Sequence, residues 1–358
     1  MSKGTLIKSF VKGITNNGSG GGNIGTGDYN VKVIDYDGTI IAEKNLDEGK
    51  TFTLPKAPSH DGLVFQEWSS TQDITDGKIT VGKSDVMIGA IYTTASGKNE
   101  FDFELNAVTG LSVTLNLDGE KDWGDGSTPD TLTSHTYSQA GKYTVKCDGT
   151  TLASALFGQS NNDNNFYCTA IRIATITTIT SNFGYCGNVS TVILSKSVTA
   201  LNNYSFRKAI SLQFLVIPNS VTFLGTSVFV DCYCLSSVVI PANISSIGIF
   251  LFQNCRNLTS MVLSNITSIP NGLVFACAGL RSIKIPKTVT SVGTEAFSAC
   301  SVLTEYDFSK LEEIPTLANT NAFNGINKIA KIKVPSALYD EWVAETNWLT
   351  YADYIVAV

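Results

Sequence analysis

Phenylalanine recurs through the second half of this chain at a spacing of 22 or 23 residues. The series is Phe183, Phe206, Phe229, Phe252, Phe275 and Phe297, and the residues three positions later are Cys186, Ala209, Cys232, Cys255, Ala278 and Cys300. Each period also contains one short apolar strand closed by Ile-Pro or Leu-Ser, as at Ile217-Pro218. A period in the twenties with one strand per period predicts a solenoid, whose coils bury their apolar sides by stacking. Solenoids of this kind usually bind partners rather than transform substrates.

The repeat unit itself has a recognisable pattern. One copy is Leu212-x-x-Leu215-x-Ile217-Pro218, then Val221 and Leu224, then Phe229-x-x-Cys232. This pattern resembles the leucine-rich repeats of the BspA-like type, which occur in bacterial surface proteins, some protist proteins and phage or prophage proteins. The resemblance covers residues 169–335 and implies a leucine-rich-repeat solenoid.

Two further resemblances lie upstream of the repeats. Tyr29-Asn-Val-Lys-Val, Asp37-Gly38 and Trp68 resemble the Listeria-Bacteroides repeat, a small β-grasp-like spacer, in which we expect Trp68 to anchor the core rather than to form a sugar platform. Asp122-Trp123-Gly124-Asp125-Gly126 followed by His135-Thr-Tyr resembles the PKD-type immunoglobulin-like domain. The expected fold is therefore multidomain and mainly β. Its predicted parts are an anchoring peptide and Gly-rich linker (1–28), a β-grasp-like module (29–95), a PKD/Ig-like module (96–150), the repeats (151–335) and a helical cap (336–358).

Alternation along each repeat strand places one set of side chains outside the solenoid core, on the concave face. A first outward column contains Arg172, Ile193, Val216, Val239, Val262, Lys284, Asp307 and Lys333, and Phe214 belongs to a second column beside it. We name the apolar centre, made of Phe214, Ile193, Val216, Val239 and Val262, the apolar strip. It is the candidate binding face, flanked by the charged ends Arg172, Lys284 and Lys333. The alternative is that β-branched residues stand there because they favour strands.

The distribution of charge adds a hypothesis about the partner. Within residues 169–303, eight basic and two acidic residues give a net charge of +6, whereas the whole chain carries −6. A basic repeat array favours an anionic partner such as a glycopolymer, or a host cell-surface protein. Nucleic acid is not expected, because basic and aromatic residues do not alternate in any run. Membrane insertion is not expected either, because no apolar run of about 18 residues is present.

Neither the cysteines nor the histidines indicate a catalytic, metal or cofactor site. Four of the eight cysteines, Cys186, Cys232, Cys255 and Cys300, fall at one repeat position that also accepts alanine, which predicts a ladder of buried free thiols rather than disulfides or zinc ligands. Asp35-Tyr-Asp37-Gly38-Thr resembles the first motif of haloacid dehalogenase phosphatases, in which the first Asp is the nucleophile, so an enzyme is a remote alternative. A type I′ hairpin turn at Asp37-Gly38 explains the same residues. His135 and Asp125 are expected to be structural.

The two ends of the chain suggest an anchor and a cap. Leu6, Ile7, Phe10 and Val11 are candidate residues for anchoring to a virion, and no secretion signal precedes them. This pattern favours a non-enzymatic phage or prophage virion protein, docked to other virion proteins by its N-terminus, able to form a homo-oligomer in an assembly and displaying the repeats to the host. The alternative is a BspA-type adhesin on the bacterial cell surface. Leu338, Trp342, Glu345 and Leu349 are spaced as a helix, which is expected to close the last coil together with Trp348 and Tyr351.

Overall fold

The computed structural model describes residues 25–106, 111–151, 166–180, 183, 186–244, 246–263 and 265–358. Within them the protein is mainly β, as the sequence predicts, with two small β modules ahead of a solenoid. The candidate anchor residues Leu6, Ile7, Phe10 and Val11 lie outside the described residues. No helix in the described ranges is long and apolar enough to cross a membrane.

The first module is a four-stranded sheet with a small hairpin beside it. Its strands are β1 (Tyr29–Ile34), β2 (Ile40–Leu46), β3 (Thr51–Thr53), β4 (Leu63–Ser70), β5 (Lys78–Thr80) and β6 (Val86–Thr94). The sheet has the order β2-β1-β6-β4, in which β1 pairs antiparallel with β2 and parallel with β6, and β3 pairs with β5. Alternate residues of β1, Val31 and Val33, are fully buried in the core of the module with Ile79 and Ile88.

The second module packs around Trp123 and Tyr137. Both side chains are buried, and the Tyr137 hydroxyl donates a hydrogen bond to the Trp123 carbonyl at 2.8 Å. The strands are β7 (Asn99–Leu105), β8 (Leu111–Thr114), β9 (Lys121–Asp122), β10 (Ser134–Tyr137) and β11 (Gly141–Cys147). β8 pairs with β10, whereas β7, β11 and β9 belong to a second sheet.

This second sheet continues directly into the solenoid. β7 pairs antiparallel with β12 (Phe166–Ile173), which pairs parallel with β14 (Thr191–Leu194), so one five-stranded sheet has the order β14-β12-β7-β11-β9. Asn99 fastens the junction, because its amide donates to the carbonyls of Cys147 and Gly149 and accepts from the backbone of Ala174 and Thr175. The second module therefore covers a sheet edge of the solenoid that would otherwise be open.

The coils contribute two series of short parallel strands. The first series continues from β14 with β16 (Phe214–Val216), β18 (Ser237–Val239), β20 (Ser282–Lys284), β22 (Glu305–Asp307), β24 (Lys331–Val334) and β25 (Ile355–Ala357). The second series consists of β13 (Thr178–Ile179), β15 (Ala200–Leu201), β17 (Phe223–Leu224), β19 (Ser268–Ile269), β21 (Ser291–Val292) and β23 (Thr316–Leu317).

The phenylalanine column runs through the solenoid core, with one interruption. Phe183, Phe206, Phe229 and Phe252 are buried and stack on one another at centroid distances of 5.6, 5.8 and 5.3 Å. The assignment of the next coil to Phe275 and Ala278 is wrong: Val274 and Cys277 are fully buried, while Phe275 is half-buried and Ala278 is exposed. The repeat loses one residue between Leu263 and Ile266, because core spacings before this turn are 23 and the next core position arrives one residue early.

The predicted cysteine ladder is present. The thiols of Cys232, Cys255, Cys277 and Cys300 donate hydrogen bonds of 3.0–3.1 Å to carbonyls of the preceding coil. All eight cysteines are free, and Cys234 is the one exposed among them. Burial raises the pKa of Cys186 and Cys300 to about 12, so these thiols are inert packing groups.

The C-terminal segment closes the last coil as expected, with a shorter helix. α1 spans Tyr339–Ala344 between 3₁₀ turns at Ser336–Leu338 and Trp348–Tyr354, and Leu349 is exposed instead of continuing the apolar helix face. Trp342 and Trp348 are fully buried, and the Trp348 indole donates to the Pro315 carbonyl at 2.8 Å. β25 then adds a last parallel strand to β24.

Candidate functional site

The outward columns predicted for the repeat strands exist in the predicted register. Val216 pairs with Val239, Lys284 with Asp307, and Asp307 with Lys333, while Phe214 stands beside Ser237 in the neighbouring column. Alternation within short parallel strands was therefore sufficient to assign which side chains leave the solenoid core.

The apolar strip, however, is not exposed to solvent. Strand β6 of the first module lies against β12, β14, β16 and β18, and together they bury the strip. Phe214 is 7% exposed, Val216 4% and Val239 0%. The strip residues Phe214, Val216 and Val239 form one cluster with Ile34, Met87 and Ile91, Ile193 packs with Ala90 and Tyr92, and Val262 is partly buried beside the first cluster. The expected exposure of this face is corrected: within this chain the strip is the docking face of the first module.

Two glycines allow this close approach. A Cβ on Gly89 would come within 2.5 Å of Val216 Cγ1, and one on Gly38 within 3.2 Å of the Phe214 ring. Ordinary contacts between carbon atoms lie at about 3.5–4.0 Å. The first module is thus fitted to the repeats by shape at the centre of the interface.

The charged ends of the column also have partners inside the chain. Arg172 forms ion pairs with Asp102 and Glu100 of the second module, and the contribution of these carboxylates raises its pKa despite burial. Lys284 lies 2.9 Å from Asp85 of the first module. Lys333, by contrast, pairs at 2.8 Å with Glu305 on the adjacent repeat strand. Two of the three predicted basic contacts therefore hold the modules to the repeats.

Strand β4 is bonded to the turns that follow the repeat strands. The carbonyl of Trp68 accepts from the Asn219 amide at 2.9 Å, and the carbonyl of Ser70 accepts from the Ala242 backbone at 2.8 Å. Ser69 Oγ donates to the Ile217 carbonyl at 2.5 Å. These bonds fix the edge of the first module along successive Ile-Pro turns.

Beside this contact, three adjoining clefts form one groove between the first module and the repeats. Their volumes are about 650, 600 and 380 Å³. The first two share Gln72, Asp73 and Thr75, and the last two share Lys83 and Ser84. We name this feature the seam groove. Its repeat wall takes residues from five successive turns: Asn219, Ala242, Asn265, Lys287 and Lys310.

At about 4.8 Å per strand, the four intervals between these turns correspond to a groove about 20 Å long. The two ends of the groove differ in chemistry. At the first end, Trp68 is only partly buried and lines the cleft with Glu67, Asp73, Asn219 and Asn243. At the other end, Lys83, Lys284 and Lys310 stand with Asp85 and Asp307.

Glu67 occupies a distinctive place at the first end. It follows a β-bulge in β4, where the pairing register with β6 shifts between Phe65 and Glu67. Its Oε1 atom is buried, and no group in the described ranges donates a hydrogen bond to it. Gln66, the bulged residue itself, accepts a hydrogen bond from the Lys196 backbone at 2.8 Å. A bulge changes the direction of the side chains beside it, and here Gln66 contacts the repeats while Glu67 lines the groove.

The sequence did not reveal the seam groove, although it contains a hint. The turns that follow the repeat strands recur with the repeat and line one wall, and their polar residues Asn219, Asn243 and Asn265 stand out in an otherwise apolar pattern. The opposite wall, residues 67–85, carries no motif that points toward the repeats.

The phosphatase-like motif lies in a hairpin, as the alternative interpretation predicts, but the predicted type I′ turn is wrong, because Gly38 has a positive φ of 90° and Asp37 does not. Asp35 and Gly38 close the turn between β1 and β2, and Asp35 accepts hydrogen bonds from the Tyr36 backbone and from His60 at 2.7 Å. Residues 29–94 contain no helix, whereas a phosphatase nucleophile of this type needs a strand followed by a helix. Asp35 therefore ties the His60 loop to the hairpin.

The second histidine has a parallel role. His135 stacks on Trp123 at 5.1 Å and bonds Asp125 at 2.8 Å. Burial raises the pKa of Asp125, but hydrogen bonds from Ser127 and His135 outweigh it and lower the pKa to about 2. The described residues contain no cluster of three or more His, Cys, Asp or Glu suited to a metal ion.

Comparison with known proteins identifies the repeat type. The BspA type leucine-rich repeat region matches six copies, at residues 158–236, 176–304 and 224–340. Among solved structures, a leucine-rich repeat protein of T. pallidum is 22% identical with a TM-score of 0.42, over 49% of this chain and 86% of that one. A leucine-rich cell surface protein of Faecalibacterium prausnitzii is 23% identical (TM-score 0.32; 46% and 58% covered), and a leucine-rich repeat protein of Bacteroides ovatus is 19% identical (TM-score 0.35; 48% and 57% covered). No curated protein sequence matches the chain.

Proposed function

The chain belongs to the BspA-type leucine-rich repeat family, and from this premise we propose that it is a non-enzymatic binding protein of the bacterial cell surface, of the adhesin type. The family match supports the adhesin interpretation, since surface adhesins are the proteins for which this repeat type is best known. The virion interpretation depends on the candidate N-terminal anchor and gains no support from the comparisons.

The proposal rests on the seam groove. In a solenoid, the outward strand face is the expected recognition surface, but here the first module covers its apolar part. The groove that remains is concave, about 20 Å long, and lined by polar and apolar residues from two parts of the chain that pack against each other. Binding sites are typically concave and largely preformed, which this composite groove provides.

The partner is expected on the surface of another cell. The groove offers carboxylates, amides, hydroxyls and ammonium groups along its length, and its apolar area is divided among three clefts rather than gathered into one protein hot spot. Such a lining suits a flexible polar polymer better than a globular protein interface.

A groove-filling variant tests the proposal. Fluorescently labelled full-length protein should bind a panel of epithelial and bacterial cells in flow cytometry, and Thr75→Trp should remove that binding, because Thr75 lines the first two clefts and is exposed. Thr131→Trp, on an exposed loop of the second module, is the matched control and should bind normally. Failure of the unmodified protein to bind any cell would contradict the adhesin proposal, and equal binding by both variants would move the site away from the groove.

A further inference from the structure

We propose that the Trp68 end of the seam groove binds a neutral oligosaccharide. This inference rests on the proposed function, since it names the ligand class of the same groove. It depends on four features of this end: an aromatic ring, two carboxylates, amide oxygens left over as acceptors, and a blocked strand edge.

Trp68 provides the aromatic part. Its side chain packs, partly buried, against the two clusters around Val33 and Tyr92, and it also lines the groove. One face of a pyranose ring carries C–H groups with partial positive charge, which match the electron-rich face of an indole. The expectation that Trp68 anchors the core agrees with its contacts, and the place of this residue in the cleft lining gives it a second role in the proposal.

The polar groups at this end are predominantly acceptors. Glu67 Oε1 is buried and receives no hydrogen bond from any group in the described ranges. The amide nitrogens of Asn219 and Asn243 already donate to backbone carbonyls, at 2.9 Å to Trp68 and 2.6 Å to Asn219, which leaves their oxygens for a ligand. Asp73 adds an exposed carboxylate. Leaving Glu67 Oε1 without a donor is costly, and a rotation of the Glu67 carboxylate into the cleft that this residue lines would let a sugar hydroxyl supply the donor.

The charge of the lining selects against an anionic polymer at this end. Glu67 and Asp73 would repel sulfate, phosphate or carboxylate groups, whereas uncharged hydroxyls donate to carboxylates in short, strong hydrogen bonds. Farther along, the groove is lined by the hydroxyls of Thr51, Thr75 and Thr80 and by side chains of both signs. This sequence of groups accommodates further sugar units rather than a single one.

An extended peptide fits less well. Peptides that bind beside a sheet usually add a strand to its free edge. At the edge of β4 the carbonyls of Trp68 and Ser70 are already bonded to Asn219 and Ala242 of the repeats. Strand addition is therefore blocked where the groove runs along the first module.

The test uses the full chain, treated cells and a defined glycan panel. Cells that bind the labelled protein are oxidised with periodate, which cleaves sugar diols, or shaved with protease before binding. In parallel, the protein is applied to a panel of immobilised neutral oligosaccharides, and affinities for the strongest probe are measured with Glu67→Gln and Trp68→Phe. Asp61→Asn, an exposed carboxylate of the same module outside the groove, is the control. Thermal unfolding of each variant establishes that it is folded.

Periodate should abolish cell binding and protease should not, and at least one neutral oligosaccharide should bind. Glu67→Gln should weaken that binding about tenfold or more, as expected for loss of charge-assisted hydrogen bonds, while Asp61→Asn leaves it unchanged. Binding that survives periodate but not protease would identify a protein partner and overturn the glycan assignment, with the adhesin proposal intact. Glycan binding insensitive to Glu67→Gln and Trp68→Phe would also overturn it.

Discussion

The contact between Gly89 and Val216 offers a direct test of how the first module sits on the repeats. In Gly89→Ala the new methyl would lie 2.5 Å from Val216 Cγ1 and 2.6 Å from Cγ2, about 1 Å inside normal contact. The φ angle of Gly89 is not in the left-handed region, so the substitution adds a steric cost without backbone strain. Overpacking of this kind costs about 1–3 kcal/mol.

The complementary change is Val216→Ala. It removes both clashing methyl groups and by itself costs about 1–2 kcal/mol through lost burial. In the double variant, the methyl group added at position 89 occupies the space that Val216 vacates, so the combined cost should be smaller than the sum of the single costs by about 1–2 kcal/mol. Hydrogen exchange measured by mass spectrometry on peptides covering residues 86–94 and 214–216 reports this cost as a local opening free energy.

Gly141→Ala is the control, because its Cβ would meet the Tyr143 ring only at 3.4 Å, an ordinary contact. It should leave exchange in β6 unchanged. Strict additivity of Gly89→Ala and Val216→Ala, within about 0.5 kcal/mol, would show that the two residues do not touch and would refute the docking of β6 on the apolar strip.

Four other outcomes follow from the structure. A thiol reagent should label one cysteine in the native protein, Cys234, and all eight after unfolding, as counted by intact mass. The free energy of unfolding should fall as the pH drops from about 4 toward 2, because the folded-state pKa of Asp125 is depressed to about 2, and Asp125→Asn should flatten this part of a pH series of denaturation curves. Asp35→Ala should lower stability by about 1–3 kcal/mol in urea denaturation, since His60 loses its acceptor, with no phosphatase activity toward p-nitrophenyl phosphate in either protein. Trp348→Ala should cost about 3–5 kcal/mol in the same assay, because a fully buried cap side chain leaves a cavity against the last coils; a loss below about 1 kcal/mol would contradict its role as a cap.

The repeat register could be predicted from the sequence because it depends on local rules. Strand alternation placed Val216 and Val239 in one column, and this is their observed pairing. The assignment of Phe275 to the core was wrong because it followed the spacing of the phenylalanines. The repeat is shortened by one residue before Phe275, in the turn after Leu263. Val274 is buried because of the register after that turn, and the spacing of the phenylalanines does not show this register.

The cover over the apolar strip could not be predicted from the repeats alone. Alternation tells which side chains leave the core but not what lies above them. The sequence of the first module contains the relevant pattern. Strand β6 includes Val-Met-Ile-Gly-Ala-Ile-Tyr and is buried along almost its whole length. A strand that is apolar on both faces needs two cores, and a four-stranded module supplies only one.

The outer face of β6 and the apolar strip are therefore each buried by the other. Val86 and Ile88 face the core of the first module, while Met87 and Ile91 on the opposite face meet Phe214 of the repeats. Val239→Asp should thus release the first module rather than merely weaken a ligand contact, because it would bury a charge without a partner.

This arrangement changes where recognition has to occur. Once β6 occupies the strip and Asp85 and Asp102 neutralise the column's basic ends, the strand face of the covered coils, as far as the structure describes it, offers no apolar patch or unpaired charge. The proposed function therefore places the ligand in the seam groove, which forms only where the first module and the repeats pack together. If this proposal holds, substitutions in the 67–85 segment or in the turns of the repeats should change ligand specificity without disturbing the solenoid core.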